Sequence, residues 1–198
     1  MSETFKSQIK DLVDDLKAVF THVGLGGEAA EYKLLTQSFL YKFLNDKFLY
    51  QAKAIDASNS YEKLIDMSEE DYSWLLKFIG TSTAWLKPDQ LIETLHRQQN
   101  EATFYETFEN TLNQIAIDNN DIFSVHTDGD TAIRLFDERL ITDTISDSSK
   151  RNEVAKSIIN LLARVKFDET IFSQGFDFFS TLFEYMIKDY NKDGGGKY

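Results

Sequence analysis

Apolar residues recur at steps of three and four along most of the chain and almost nowhere alternate, so the pattern predicts helices throughout. Phe5, Ile9, Leu12, Val13, Leu16 and Phe20 form one stripe of a first helix over residues 3–20, with Asp11, Asp14, Asp15 and Lys17 on its wet side. Gly24-Leu25-Gly26-Gly27 breaks it. A second helix, over residues 28–51, carries Leu34, Leu35, Phe39, Leu40, Tyr41, Phe43, Leu44, Phe48 and Leu49 around most of its circumference. A helix apolar on nearly every side belongs at the centre of the core. Ser68-Glu69-Glu70-Asp71 resembles a capping box and starts a short helix through Trp74, Leu75, Phe78 and Ile79 that Gly80 stops. Trp74 and Trp85 are expected as core or interface anchors. Pro88 is placed in the first turn of the next helix, where its missing N–H costs nothing. Residues 103–117 form a further helix, 118–130 a polar loop with Ile122, Phe123 and Val125, and 131–141 a weak helix. Residues 146–166 form a strong one, with Val154, Ile158, Leu161, Leu162 and Val165 on one face. A last stripe of Phe176, Phe179, Phe183, Met186, Ile187 and Tyr190 is expected to join the core before the glycines at 194–196 end it. The expected fold is all-α: an irregular multi-helix bundle forming a single domain over residues 1–190, followed by a Gly-rich tail at 191–198.

Aromatic residues reach 14%, mostly the 16 Phe and 9 Tyr, so that core is expected to be rich in rings. No apolar run approaches the roughly 18 residues of a membrane span, and Met1 opens a charged amphipathic helix instead of a signal peptide. The chain has no cysteine, which excludes disulfides and thiolate metal sites and fits a cytoplasmic protein. The net charge of −12 changes the functional picture most. Neutralised phosphates dominate DNA affinity, and an acidic surface opposes them. Any DNA contact must come from a local basic strip.

Residues 146–166 hold the one cationic stretch: Lys150, Arg151, Lys156, Arg164 and Lys166 against Asp147 and Glu153. At 100° per residue, Lys150, Lys156 and Arg164 fall on the face opposite the apolar stripe. These three are the candidate DNA-facing residues. The same strip also fits an acidic partner surface or an ordinary solvated face.

Three segments occur in a telling order. Glu31-Tyr32-Lys33 precedes Phe39-Leu40-Tyr41-Lys42-Phe43-Leu44-Asn45-Asp46; Leu86-Lys87-Pro88-Asp89-Gln90-Leu91 follows; and Phe183-Glu184-Tyr185-Met186 lies near the end, ahead of the glycines. Together they resemble the modification (M) subunits of type I restriction-modification systems, which are N6-adenine DNA methyltransferases. Residues 21–27 depart from that family, many of whose members carry an Arg- or Asn-containing connection there. The resemblance implies a helical N-terminal domain that works in subunit assembly and in closure around double-stranded DNA. Its implied partners are a specificity (S) subunit and a second M subunit, with no membrane. Tyr198 falls where an aromatic-Thr-Pro motif opens the family's catalytic domain, so the half that binds S-adenosyl-L-methionine is expected to be missing. A stand-alone acidic helical adaptor for protein–protein contacts, unrelated to methylation, is the alternative.

The chemistry of methyl transfer has no residues here. The family's Asn-Pro-Pro-aromatic motif cannot occur with Pro88 as the only proline, and no glycine-rich strand-to-helix turn is present for S-adenosyl-L-methionine. No catalytic, cofactor-binding or metal-binding residue is therefore assigned, and the chain alone is expected to be inactive. Asp189-x-Asn191-x-Asp193-Gly194 matches half of a calcium loop but lacks its twelfth-position Glu, so it reads as a polar helix end. His22, His96 and His126 have no ligand-spaced companion.

Overall fold

The first stripe folds as its spacing dictates. In a computed structural model, which describes residues 3–123, 135–167 and 169–173, α1 (Glu3–His22) buries Phe5, Ile9, Leu12, Val13, Leu16 and Phe20. Gly24 and Gly27 then turn the chain with φ of 88° and 76°, values that residues with a Cβ rarely adopt. The long α2 (Ala29–Ile55) buries Leu34, Leu35, Phe39, Tyr41, Leu44 and Phe48, and packs against α1. Full burial of such a side chain contributes about 1.5–3 kcal/mol, so this helix carries much of the core. Short α3 (Tyr61–Asp66) and α4 (Glu69–Ile79) follow. Ser68 caps α4 by accepting from the Asp71 N–H at 3.1 Å, and Gly80 ends it at φ 62°. Pro88 opens a 3-10 turn, Pro88–Gln90, ahead of α5 (Ile92–Gln98).

The second half closes around the first. Helix α6 (Phe104–Asp118) buries Phe104, Phe108, Leu112 and Ile115, and Phe108 meets the Tyr41 ring edge-on at 6.2 Å. After α7 (Asn120–Phe123) and α8 (Leu140–Thr144) comes α9 (Ser148–Arg164), with Val154, Ala155, Ile158, Ile159 and Leu162 inside. It packs on α1, α2, α5, α6 and α8, sharing the central position that α2 was expected to hold alone. A final turn, α10 (Thr170–Ser173), sets Phe172 against Phe43 and Tyr50 of α2. The described residues are all-α, with no strand among them.

Several expectations are corrected. Residues 118–130 are not simply a loop: α6 runs to Asp118, Asn119 is wholly buried, and α7 follows. Of the weak helix expected over 131–141, residues 135–139 are not helical, and Leu140 and Ile141 begin the next helix. There the Gln37 side chain takes the Asp137 N–H at 2.9 Å, and Glu109 takes that of Thr142 at 2.7 Å. Helix α9 starts at Ser148, not 146, because the Asp147 carboxylate caps it by accepting from the Ser149 N–H. Of the core and interface places expected for the tryptophans, the core is excluded for Trp74, which lies on the surface, 53% exposed, with Phe78 at 72%, whereas Trp85 is half-buried and donates from Nε1 to the Gly80 carbonyl. The stripe from Phe176 to Tyr190, the tail at 191–198, Val125, His126 and residues 131–134 lie outside the described residues.

Candidate functional site

The predicted basic strip runs along α9, and its neighbours decide what it can do. Lys150 and Lys156 are half-buried along their stems, and neither carries an ion pair among the described residues. Arg164 is exposed but paired with Asp15 of α1. A shallow depression of about 550 Å3 there is lined by Asp11, Asp14, Asp15, Arg164 and Lys166. The wet face of α1 thus sets three acids beside the end of the strip, cancelling the local cationic excess. Arg151 is spent internally: its guanidinium donates to the carbonyls of Ile145 and Thr142 and sits 5.8 Å from the Tyr105 ring. Of the three strip residues, Lys150 and Lys156 carry no ion pair among the described residues.

A deeper cleft of about 430 Å3 opens between α2, the start of α5 and residues 163–172. Its floor holds Lys42, only 4% exposed, whose Nζ lies 3.0 Å from Asp46 one turn on and 5.6 Å from the Phe167 ring. Burial lowers the Lys42 pKa first, while the Asp46 charge and hydrogen bond push it back up. Asp46 also accepts from Asn45 Nδ2 at 2.9 Å. Burial outweighs the carboxylate, so the Lys42 pKa stands below that of a free lysine, while the contact with Asp46 ties its amine into an ion pair. Around it stand Lys53 and Lys166 against Glu62, Glu93 and Glu169, and no single charge sign selects a ligand. Lys42 and Asp46 instead lock α2 to the chain that follows α9.

The sequence motifs fall at joints between helices. Glu31, buried in the first turn of α2, reaches back to accept from the Gly27 N–H at 2.7 Å, and Lys33 pairs with Asp137 at 2.7 Å. Tyr41 donates its hydroxyl proton to the Gln90 carbonyl and Tyr72 to that of Leu86, both at 2.7 Å. The Gln90 side chain accepts from the Lys87 N–H and donates to Asp118. Asn45 accepts from the Ile92 N–H at 2.9 Å, capping α5 from α2. The segment around Pro88 is therefore a hub that fastens α2, α4, α5 and α6 together.

No group of three His, Cys, Asp or Glu that could hold a metal exists among the described residues. His96 meets Asn160 at 2.9 Å in a structural contact. The Gly24–Gly27 turn joins two helices and its Gly27 N–H is taken by Glu31, so this turn does not fit S-adenosyl-L-methionine. No helix among the described residues is long and apolar enough to cross a membrane. Comparison with protein families, with curated proteins and with solved structures finds no match to the chain.

Proposed function

We propose that the chain is the helical N-terminal domain of a type I modification methyltransferase subunit and that it works cytoplasmically in assembling the enzyme and closing it around DNA. The observation that carries this reading is the ordered set of family-like segments. Glu31-Tyr32-Lys33, the 39–46 helix and Leu86–Leu91 occur in the family's order, and their side chains meet at helix joints where a change would be costly. Protein contact is the main task, because a chain of net charge −12 is repelled by phosphate. The partners are an S subunit and a second M subunit, while S-adenosyl-L-methionine and methyl transfer belong to a following domain. Lys150 and Lys156, with Arg164 once released from Asp15, orient a duplex that other subunits already hold. Reading the coding frame beyond Tyr198 tests this: an aromatic-Thr-Pro motif and a later Asn-Pro-Pro-aromatic motif are expected, and a frame without either would sink the proposal. The alternative, a stand-alone adaptor, draws its support from the exposed Trp74 and Phe78.

A further inference from the structure

The outer face of α4 carries two large aromatic side chains one helical turn apart. Trp74 and Phe78 are both exposed, with ring centres 6.5 Å apart, and Lys77 Nζ lies 4.6 Å from the Trp74 ring. Beside them opens a groove of about 640 Å3, lined by Ile55 from the end of α2 and by Met67 and Leu75. Isolated apolar residues on a surface are ordinary, but a paired aromatic ridge along an apolar groove marks an interaction site. Its rim is acidic. Asp66 and Asp71 line it and Glu70 stands one turn ahead of Trp74 on α4; all three are exposed and carry no ion pair among the described residues, whereas Asp56 is matched by Lys63 at 2.9 Å. The C-terminal pole of α2, a helix of 27 residues, opens on the same groove and adds partial negative charge.

These features select the occupant. A second copy of the chain would bring acidic rim against acidic rim in a molecule of net charge −12, which opposes self-association. A groove flanked by one exposed helix accepts another helix through anchors at i and i+4. We propose that this groove docks a cationic amphipathic helix of a partner protein. Its apolar anchors pack on Trp74 and Phe78, and its lysine or arginine side chains face Asp66, Asp71 and Glu70. The site stands whether the chain is a methyltransferase domain or an adaptor, so the coding frame beyond Tyr198 does not bear on it.

The test is selection from a displayed library of helix-forming peptides about 20 residues long, long enough to hold a helix once bound. The target is the whole chain, and binding is measured by fluorescence anisotropy of labelled winners. The expected winners carry Lys or Arg flanking an i, i+4 apolar pair. They should lose about tenfold or more in affinity for Phe78→Ser and for the double variant Asp66→Lys, Glu70→Lys. Both changes lie on the surface, and an unaltered thermal melt confirms that the fold is kept. A selection that returns no binder, or returns acidic or neutral peptides, overturns the proposal, as does affinity unchanged by Phe78→Ser. Sedimentation showing a dimer that Phe78→Ser dissociates also overturns it, by making a second copy the occupant.

Discussion

Replacing Asn119 by Ala should unlatch the segment between α4 and α5 from the end of α6. The side chain is wholly buried, and its Oδ1 accepts from the Trp85 N–H at 2.6 Å. Its Nδ2 donates to the carbonyls of Trp85 at 2.8 Å and Ile115 at 2.9 Å. Each neutral bond contributes about 0.5–1.5 kcal/mol net, and a buried partner left unpaired costs about 1–3 kcal/mol. Trp85 is half-buried, so water reaches part of what is exposed, and a total loss of about 2–4 kcal/mol is expected. For a chain of this size that corresponds to a fall in Tm of roughly 4–16 °C. Urea melts followed by far-ultraviolet dichroism give the value directly, with Asn100→Ala on the surface as a control expected within about 0.5 kcal/mol. Asn119→Asp adds a sign test. A carboxylate there faces two carbonyls, so its folded pKa rises above the unfolded value of about 3.9. The variant should approach wild-type stability below that pH and fall away from it as pH rises. A loss under about 1 kcal/mol for Asn119→Ala, with an unchanged m-value, would refute the latch.

Asp46→Asn should cost about 3–5 kcal/mol by leaving the buried Lys42 ammonium without its carboxylate, whereas Lys42→Met with Asp46→Leu should recover most of that loss in the same melts. Gly80→Ala should cost about 1–3 kcal/mol from backbone strain alone, since an added Cβ meets nothing within 4 Å; a neutral change would contradict the positive φ. Burial, and secondarily Asp89, raise the Tyr41 and Tyr72 pKa values, so the folded chain keeps protons that the unfolded chain sheds above about pH 10. Stability should therefore drop as pH climbs past 10, less steeply for Tyr41→Phe than for wild type. In DNA titrations, the isolated chain should bind duplex only weakly, with a slope of log affinity on log salt no steeper than about −1.8, because Lys150 and Lys156 of the strip carry no ion pair among the described residues.

Helix positions and the inward faces of α1, α2, α6 and α9 were legible because burial on one side writes a period of 3.6 into the residues themselves. Local capping was legible too, at Ser68 and Gly80. What escaped was capping supplied from a distance. Asn45 serves α5, Glu109 serves α8 and Asn152 of α9 takes the Tyr105 N–H at the start of α6, across separations that no local rule spans. These polar residues look like surface positions until the partner helix is in place. Lys42 is a mixed case: its partner Asp46 lies one turn on in the same helix, but its burial against Phe167 comes from a residue far along the chain. The basic strip showed the opposite error. Its spacing on α9 is real, but Asp15, which pairs with Arg164, arrives from a helix almost the whole chain away.

The proposal that this chain is an assembly domain meets its most direct test in the polypeptide read through Tyr198, purified with the S subunit that the proposal calls for. Light scattering after size exclusion, with and without residues 1–198 and with duplex DNA added, reports the assembly. The account predicts a complex of two M subunits with one S subunit that closes on DNA and transfers methyl to adenine N6. Without residues 1–198, the S subunit should still bind but closure should be lost. Unchanged assembly and DNA affinity in the truncated protein would contradict it.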